Sequence, residues 1–181
     1  MKLAYADAPL PVDGGTTTSQ PLVVALMTDL LDVDKTHQVL EIGTGLGYNT
    51  AVLARLSATV TTIEVDPHLA AEARRRLESG AVDNVTYGVG DGHLGWPERG
   101  LFDRIVVTGA TDLVSEIWLH QLRPGGRLVV PTGLPGAQHL MLFDKDLDGH
   151  LCSTELMSTR FASLIKTGES DVQPLSWSEL A

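Results

Sequence analysis

The chain has 181 residues, of which 43% are hydrophobic, so it can fill the core of one globular domain. Its formal net charge of −10 is unfavourable for binding a nucleic acid or an anionic membrane surface. A single cysteine, Cys152, excludes an intramolecular disulfide and a cysteine-rich metal site. The six histidines lack close ligand spacing, so we expect no metal.

The amino terminus and the one cluster of basic residues also argue against a membrane or nucleic-acid partner. The amino-terminal residues contain no long apolar core, and no run approaches membrane-spanning length. The trio Arg74-Arg75-Arg76 would fan around a helix axis and is predicted to be a solvated face. We therefore expect one cytoplasmic domain over residues 1–181, with no nucleic-acid or membrane partner.

Taken in chain order, the sequence predicts alternating strands and helices. Residues 1–21 are rich in proline, glycine and threonine and are predicted to be an extended entry segment, followed by a helix over 21–31. Beyond this helix, strands are predicted at 38–42, 59–64, 84–88, 103–108 and 126–131, with helices at 47–57, 67–79 and 112–122. Such alternation predicts a mostly parallel sheet with helices on both faces.

Two features are predicted near the end of the chain. Pro124-Gly125-Gly126 is expected to separate the last helix from its strand. The runs 139–143 and 151–157 predict an antiparallel hairpin at the sheet edge, and residues 168–181 a loosely ordered tail. The stretch from Asp144 to Glu155 has the spacing of an EF-hand calcium loop. We interpret it as a polar hairpin turn, because helices are not predicted on its two sides.

A glycine-rich loop follows the first predicted strand. Gly43, Gly45 and Gly47 would let the backbone turn tightly and approach a ligand closely. A dinucleotide-binding loop more often has its third glycine one residue later, where this chain has Tyr48. Glu41 suits a cationic amino group better than a pyrophosphate. The loop therefore predicts S-adenosylmethionine as cofactor, with S-adenosylhomocysteine as its product.

Two acidic residues follow later strands and complete the predicted cofactor site. Glu64 ends the second strand, about 20 residues after the loop, where a carboxylate can hold both ribose hydroxyls, with Val65 beside it. Asp91, with Gly92, follows the third strand and could accept a hydrogen bond from an adenine amino group. Together these features predict an α/β, Rossmann-like fold of the class I S-adenosylmethionine-dependent methyltransferases. Thr44 belongs to the same predicted cofactor set.

Three stretches resemble one known family, the protein-L-isoaspartate (D-aspartate) O-methyltransferases. They are Pro9 to Pro21, which contains Thr17-Thr18-Ser19-Gln20-Pro21, then Val39 to Ala51, and Gly90 to Asp103. The resemblance implies an enzyme that methylates the side-chain carboxylate of L-isoaspartyl or D-aspartyl residues in damaged proteins, which is a form of protein repair. It also implies that Ser19 is the active-site serine with Thr17 beside it, and that Gln20 lies near the methyl donor.

The chemistry is consistent with these roles. A carboxylate is already ionised at neutral pH, so its oxygen can attack a sulfonium methyl without a general base. Hydroxyl groups of Thr17 and Ser19 would then position the substrate and would not attack it. The alternative for Ser19 is a helix cap alone.

Departures from the family leave the acceptor open. The family normally has a helical stretch of several dozen residues before the entry segment, Asp13 stands where a glycine is usual, and 160–165 lacks the favoured proline. Repair of isoaspartyl peptides or proteins is preferred. The alternatives are a carboxyl methyltransferase for a particular peptide or small acid, and a catalytically silent cofactor-binding module that associates with a partner through the region left uncovered by the short amino terminus.

Overall fold

The computed structural model describes residues 6–10 and 18–167. Its seven strands are β1 Gln38–Ile42, β2 Thr59–Glu64, β3 Val85–Val89, β4 Phe102–Val107, β5 Leu122–Thr132, β6 Gln138–Lys145 and β7 Leu151–Thr159. Its helices are α1 Pro21–Leu31, α2 Tyr48–Leu56, α3 Pro67–Ser79 and α4 Glu116–Gln121. Within the described residues, no helix combines the length and hydropathy needed to cross a bilayer.

All seven strands form one sheet in the order β3-β2-β1-β4-β5-β6-β7. Neighbours from β3 to β5 are parallel, whereas β5 with β6 and β6 with β7 are antiparallel. This confirms the predicted mostly parallel sheet with an antiparallel hairpin at its edge. The strand order reverses between β1 and β4, which creates a crevice at their carboxyl ends where α/β folds bind ligands.

Apolar side chains cover both faces of the central strands. Leu40 and Ile42 of β1 pack with Trp118 of α4 in one core cluster. Val39, which points to the opposite face, packs with Leu53 of α2 in a second cluster that also includes residues of α1. Because both faces of β1 are buried, its carboxyl end and the loop after it are held rigidly.

The predicted helix over 112–122 was too long, and the predicted break after it was wrong. The helix spans only Glu116–Gln121, and Pro124-Gly125-Gly126 lies inside β5. The ladder with β4 pairs Phe102 with Leu122 and then Arg104 with Arg127, so residues on β5 bulge out between these pairs. A Cβ on Gly126 would lie 2.9 Å from the Asp103 carbonyl oxygen, so glycine permits this close approach.

The region with EF-hand spacing is a β-hairpin, as predicted. Its first and last acidic residues lie on strands: Asp144 on β6 accepts a hydrogen bond from Arg127, and Glu155 on β7 lies 2.8 Å from His139 Nδ1. In the turn, the Asp146 carboxylate accepts a hydrogen bond from the His150 backbone N–H at 2.8 Å. The helices that an EF-hand requires are replaced by strands.

After β7, the chain returns across the carboxyl edge of the sheet. In this closing segment, residues 161–167, the Leu164 N–H donates to the Ala110 carbonyl at 2.7 Å, just beyond the end of β4. The Ala110 N–H donates in turn to the Ala162 carbonyl at 2.8 Å. Leu164 also lies against Gly109, where an added Cβ would come within 3.2 Å of it. The closing segment therefore packs against the loop that follows β4 at the carboxyl edge of the sheet.

Candidate active site

The glycine loop lies at the reversal point of the sheet. Gly43, Gly45 and Gly47 all have positive φ angles, of 93°, 54° and 84°, in the region that favours glycine. A Cβ on Gly43 would come 2.3 Å from Oγ1 of Thr108 at the end of β4. The Thr108 hydroxyl instead donates to the Gly43 carbonyl at 2.6 Å. This contact ties the loop from β1 to β4 across the crevice.

Glu41 is fully buried beneath this loop. Its carboxylate accepts hydrogen bonds from Asn49 Nδ2 at 2.8 Å, from the Thr62 hydroxyl at 2.7 Å and from the Thr50 hydroxyl. Burial raises the pKa of Glu41 to about 7, although these hydrogen bonds oppose the increase. The predicted contact of Glu41 with the amino group of the donor stays a prediction, because its carboxylate faces protein groups on every side.

A chain of hydroxyl groups links Glu41 to the loop. The Thr44 and Thr62 hydroxyl oxygens are 2.6 Å apart. The Thr62 hydroxyl donates its proton to Glu41, so the Thr44 hydroxyl donates to Thr62. Glu41 therefore fixes the side chain of a loop residue through one intervening threonine. Its three partners were not predicted as site residues, although the threonines on the otherwise buried β2 were a visible signal.

Glu64 lies where a ribose-binding carboxylate was predicted, at the carboxyl end of β2. One oxygen accepts from the Gly45 N–H at 2.8 Å and the other from the Asp66 N–H at 3.1 Å, and 7% of the residue is exposed. A carboxylate has about four acceptor positions, so both oxygens keep capacity for hydroxyl groups. Val65 follows directly and is half-buried. Glu64 thus also stabilises the glycine loop.

Asp91 stands at the end of β3, next to Gly92, as predicted. Its Oδ1 accepts from the His93 N–H at 2.9 Å, and its Oδ2 accepts from the Thr167 N–H at 3.2 Å. Burial alone would raise the pKa of Asp91, but hydrogen bonds from His93 and Thr167 together lower it below the ordinary value. Gly92 is buried against Ile42, whose Cγ2 would be 2.3 Å from an added Cβ. Sequence reasoning missed Thr167 because 76 residues separate it from Asp91.

Ser19 reaches the same place from the other side. A cavity of about 80 Å³ is bordered by Thr18 and Ser19, by the loop at Gly43 and Gly45, and by Thr108. The predicted residues Ser19, Gly43, Thr44 and Gly45 are therefore brought together. Thr17 and Asp13 lie outside the described residues.

Helix α1 receives its cap from a residue that sequence reasoning missed. Its N-cap position is Gln20, whose side chain makes no capping hydrogen bond. The Leu22 N–H donates to the Asp7 carboxylate at 3.0 Å, and Gln20 Nε2 donates to the Asp7 carbonyl at 3.1 Å. Asp7 thus provides the capping hydrogen bond that the alternative assigned to Ser19, and Ser19 borders the cavity.

The reversed strand order, the glycine loop at the reversal and the carboxylates after β2 and β3 define a class I methyltransferase fold. A family model described as protein-L-isoaspartate(D-aspartate) O-methyltransferase matches residues 1–169. The chain belongs to this family, and membership confirms the predicted fold class and the donor S-adenosylmethionine.

Similar proteins agree with this assignment. The protein-L-isoaspartate O-methyltransferase 1 of Nitrosospira multiformis is 50% identical over 162 residues, with 89% of this chain and 69% of that protein covered. The enzyme of the same name from Polaromonas sp. is 47% identical over 161 residues, with 89% and 68% covered.

Solved structures show the same fold. A protein-L-isoaspartate O-methyltransferase superposes with a TM-score of 0.83 at 37% identity, covering 90% of this chain and 54% of that one. A putative enzyme of this type from Plasmodium falciparum, solved in complex with S-adenosyl-L-homocysteine, has a TM-score of 0.78 at 24% identity and covers 90% and 82%. The chain spans about half the length of the first of these structures and about two thirds of the curated relatives.

Proposed function

We propose that the chain transfers the methyl group of S-adenosylmethionine to the side-chain carboxylate of L-isoaspartyl or D-aspartyl residues in damaged peptides and proteins. One observation carries the proposal: Ser19 and the glycine loop at Gly43 and Gly45 border a single cavity. An acceptor placed by Ser19 would thus lie next to a donor placed by the loop. A cytoplasmic location, where such an enzyme meets aged proteins, is part of the proposal.

The residues around the crevice suit the donor. Glycines at three positive-φ positions expose backbone to a ligand, and Glu64 keeps acceptor capacity for ribose. Both oxygens of Asp91 are engaged by His93 and Thr167, so a contact with adenine requires Asp91 to exchange one of these partners. The cavity of about 80 Å³ is smaller than the range of about 300–1,000 Å³ usual for ligand pockets. The donor would therefore extend beyond this cavity towards Glu64 and Asp91, which are not part of its lining. The residues that we assign to the donor site are Gln20, Glu41, Gly43, Thr44, Gly45, Gly47, Glu64, Val65, Asp91 and Gly92.

The chain has to position its acceptor and keep water away, and it needs no base. The bound donor supplies a methyl group that is already activated by a positively charged sulfur. An aspartyl-type carboxylate has a pKa near 4 and is an anion at neutral pH. The Ser19 hydroxyl can donate to one carboxylate oxygen and so direct the other towards the methyl group. Thr17 is proposed to assist Ser19.

An assay with labelled donor tests the proposed acceptor. The acceptors are an isoaspartyl peptide, the matching aspartyl peptide and a panel of small acids. We expect base-labile label on the isoaspartyl peptide alone, because a methyl ester hydrolyses in mild base. Label on a small acid or on the aspartyl peptide would replace repair by a specialised carboxyl methylation. Donor binding without any transfer would indicate a silent module.

Removal of one hydroxyl tests the role of Ser19. Ser19→Ala should lower turnover about 10- to 100-fold, since one orienting hydrogen bond to a charged group is lost. Donor affinity and melting temperature should stay near those of the parent protein. Ser153→Ala, on the exposed strand β7, is the matched control and should change none of these quantities. Normal turnover in Ser19→Ala would contradict the role.

A further inference from the structure

A larger groove opens beside the proposed catalytic cavity. This flanking groove has a volume of about 730 Å³, within the range usual for ligand pockets. Thr18, Ser19 and Tyr48 border both the groove and the smaller cavity. A peptide whose reacting carboxylate lies at Ser19 would therefore have its neighbouring residues next to the groove.

The walls of the flanking groove are apolar. They are formed by residues of the glycine loop, of α2, of α3 and of the turn after α3, among them Leu46, Val52, Leu77 and Val82. Tyr48 and Leu56, at its border, are respectively 50% and 40% exposed. An apolar side chain that enters the groove would remove this surface from water, which stabilises the complex. The groove thus favours a hydrophobic residue.

The charges on the groove are positive, although the whole chain is acidic. Among the described residues that line it, the charged ones are Arg55 and Arg76, and none is a carboxylate. Arg76 is hydrogen-bonded to Glu72, which neutralises part of its charge. Among the described ion pairs, none assigns a carboxylate partner to Arg55. The Arg55 end of the groove therefore favours an acidic group.

We propose that the flanking groove binds residues next to the isoaspartyl residue of the substrate, and that it prefers a hydrophobic side chain together with an acidic one. This inference rests on the proposed function. Hydrophobic contact supplies most of the affinity, and Arg55 discriminates between acidic and basic neighbours. The groove then sets which damaged sites are methylated first.

Kinetics on a peptide series tests the preference. The peptides share one isoaspartyl residue, are acetylated and amidated at their ends, and have Leu-Glu, Leu-Lys or Ala-Ala on one side of it or the other. We expect kcat/KM for the Leu-Glu peptide to exceed that of the Ala-Ala peptide about tenfold. It should exceed that of the Leu-Lys peptide about threefold, as is usual for one exposed charge pair.

Two pairs of variants assign the preference to the groove. Arg55→Gln should abolish the preference for Glu over Lys and leave the Ala-Ala peptide unaffected. Its control is Arg75→Gln, a side chain 76% exposed and not part of the lining. Ala51→Leu fills the groove and should raise KM for the Leu-Glu peptide with little change in kcat. Its control, Ala71→Leu, lies on the exposed face of α3. Melting temperatures verify folding of each variant.

Different results would contradict the groove proposal and the proposed function separately. Equal kcat/KM for all flanks, or a Glu preference that persists in Arg55→Gln, would overturn the inference and leave the proposed function intact. If even the Ala-Ala peptide is not methylated, the proposed function fails. Fluorescence anisotropy with a labelled Leu-Glu peptide then tests peptide binding to the groove independently of methyl transfer. Arg55→Gln and Ala51→Leu should both weaken this binding. A dimer that Ala51→Leu abolishes would assign the groove to a second copy of the chain and overturn the proposal.

Discussion

Glu41 shows how one buried carboxylate links stability to pH. Burial raises its pKa to about 7 from the ordinary 4.5, hydrogen bonds from neighbouring hydroxyl and amide groups oppose this increase, and repulsion by Glu64 adds to it. The folded protein therefore holds a proton that the unfolded chain releases. The stabilising contribution is complete below about pH 4.5 and is lost as the pH rises through about 7.

Glu41→Gln tests this linkage. Glutamine imitates the protonated side chain but does not titrate, so the dependence on pH due to Glu41 should disappear. Between pH 5 and pH 8, the free energy of unfolding of the parent should fall by up to about 3 kcal/mol relative to the variant. Urea denaturation at a series of pH values measures the difference. A constant difference between the two proteins would show that Glu41 titrates normally.

Asp7 stabilises the start of α1, directly after Ser19, through hydrogen bonds from Gln20 and Leu22. Its carboxylate accepts from the Leu22 N–H, so Asp7→Ala removes a cap worth about 1 kcal/mol and releases the turn that holds Ser19. We expect turnover to fall several-fold with a small loss in melting temperature. Asp7→Asn keeps an acceptor oxygen and should retain most of the activity. Parental turnover in Asp7→Ala would show that Ser19 is held independently of this cap.

Site residues could be predicted from the sequence where their position relative to a predicted strand defines their role. Glu41 and Glu64 lie at the carboxyl ends of β1 and β2, Asp91 follows β3, and all three were identified as acidic groups at the carboxyl edge. Asp7 and Thr167 were not, because their hydrogen bonds connect residues 15 and 76 positions apart. Such contacts depend on how distant segments meet in three dimensions, and no local pattern encodes that meeting.

At the scale of an element, the glycines of the loop meet two different requirements, a positive φ angle and close contact with a neighbouring strand. Gly43 has both a positive φ and no space for a Cβ, whereas Gly45 has a positive φ with no atom within 4 Å of an added Cβ. The sequence presents both as members of one motif. The structure shows that backbone conformation is the constraint at Gly45, with contact to Thr108 a second constraint at Gly43.

The pair Gly43→Ala and Gly45→Ala tests this difference. Gly45→Ala should cost about 1–2 kcal/mol of stability, the usual cost of an ordinary residue in the left-handed region. Gly43→Ala should cost more and should abolish donor binding, because the Thr108 hydroxyl is displaced and the loop moves away from β4. Thermal unfolding and calorimetric titration with donor give both quantities. Equal losses in the two variants would contradict the distinction.

For the whole molecule, the alternation of strands and helices and the mostly parallel pairing followed from the sequence, but the extent of α4 and β5 did not. Alternating apolar runs were sufficient to predict parallel pairing and the edge hairpin. Pro124 and the two glycines after it were interpreted as a break between a helix and a strand. The same residue types occur in turns and in β-bulges, and here they lie in the bulge of β5. Whether they end a strand or bend it depends on the neighbouring strand.

The closing segment imposes an order of assembly on the crevice. The glycine loop, Glu64 and Asp91 leave a ribosome before residues 161–167, whose hydrogen bonds to Ala110 and Asp91 are the last described contacts at this edge of the sheet. A nascent chain that has formed β1 to β5 therefore still has an incomplete crevice. The protein can then hold its methyl donor as the structure describes only after nearly all of its described residues have been synthesised.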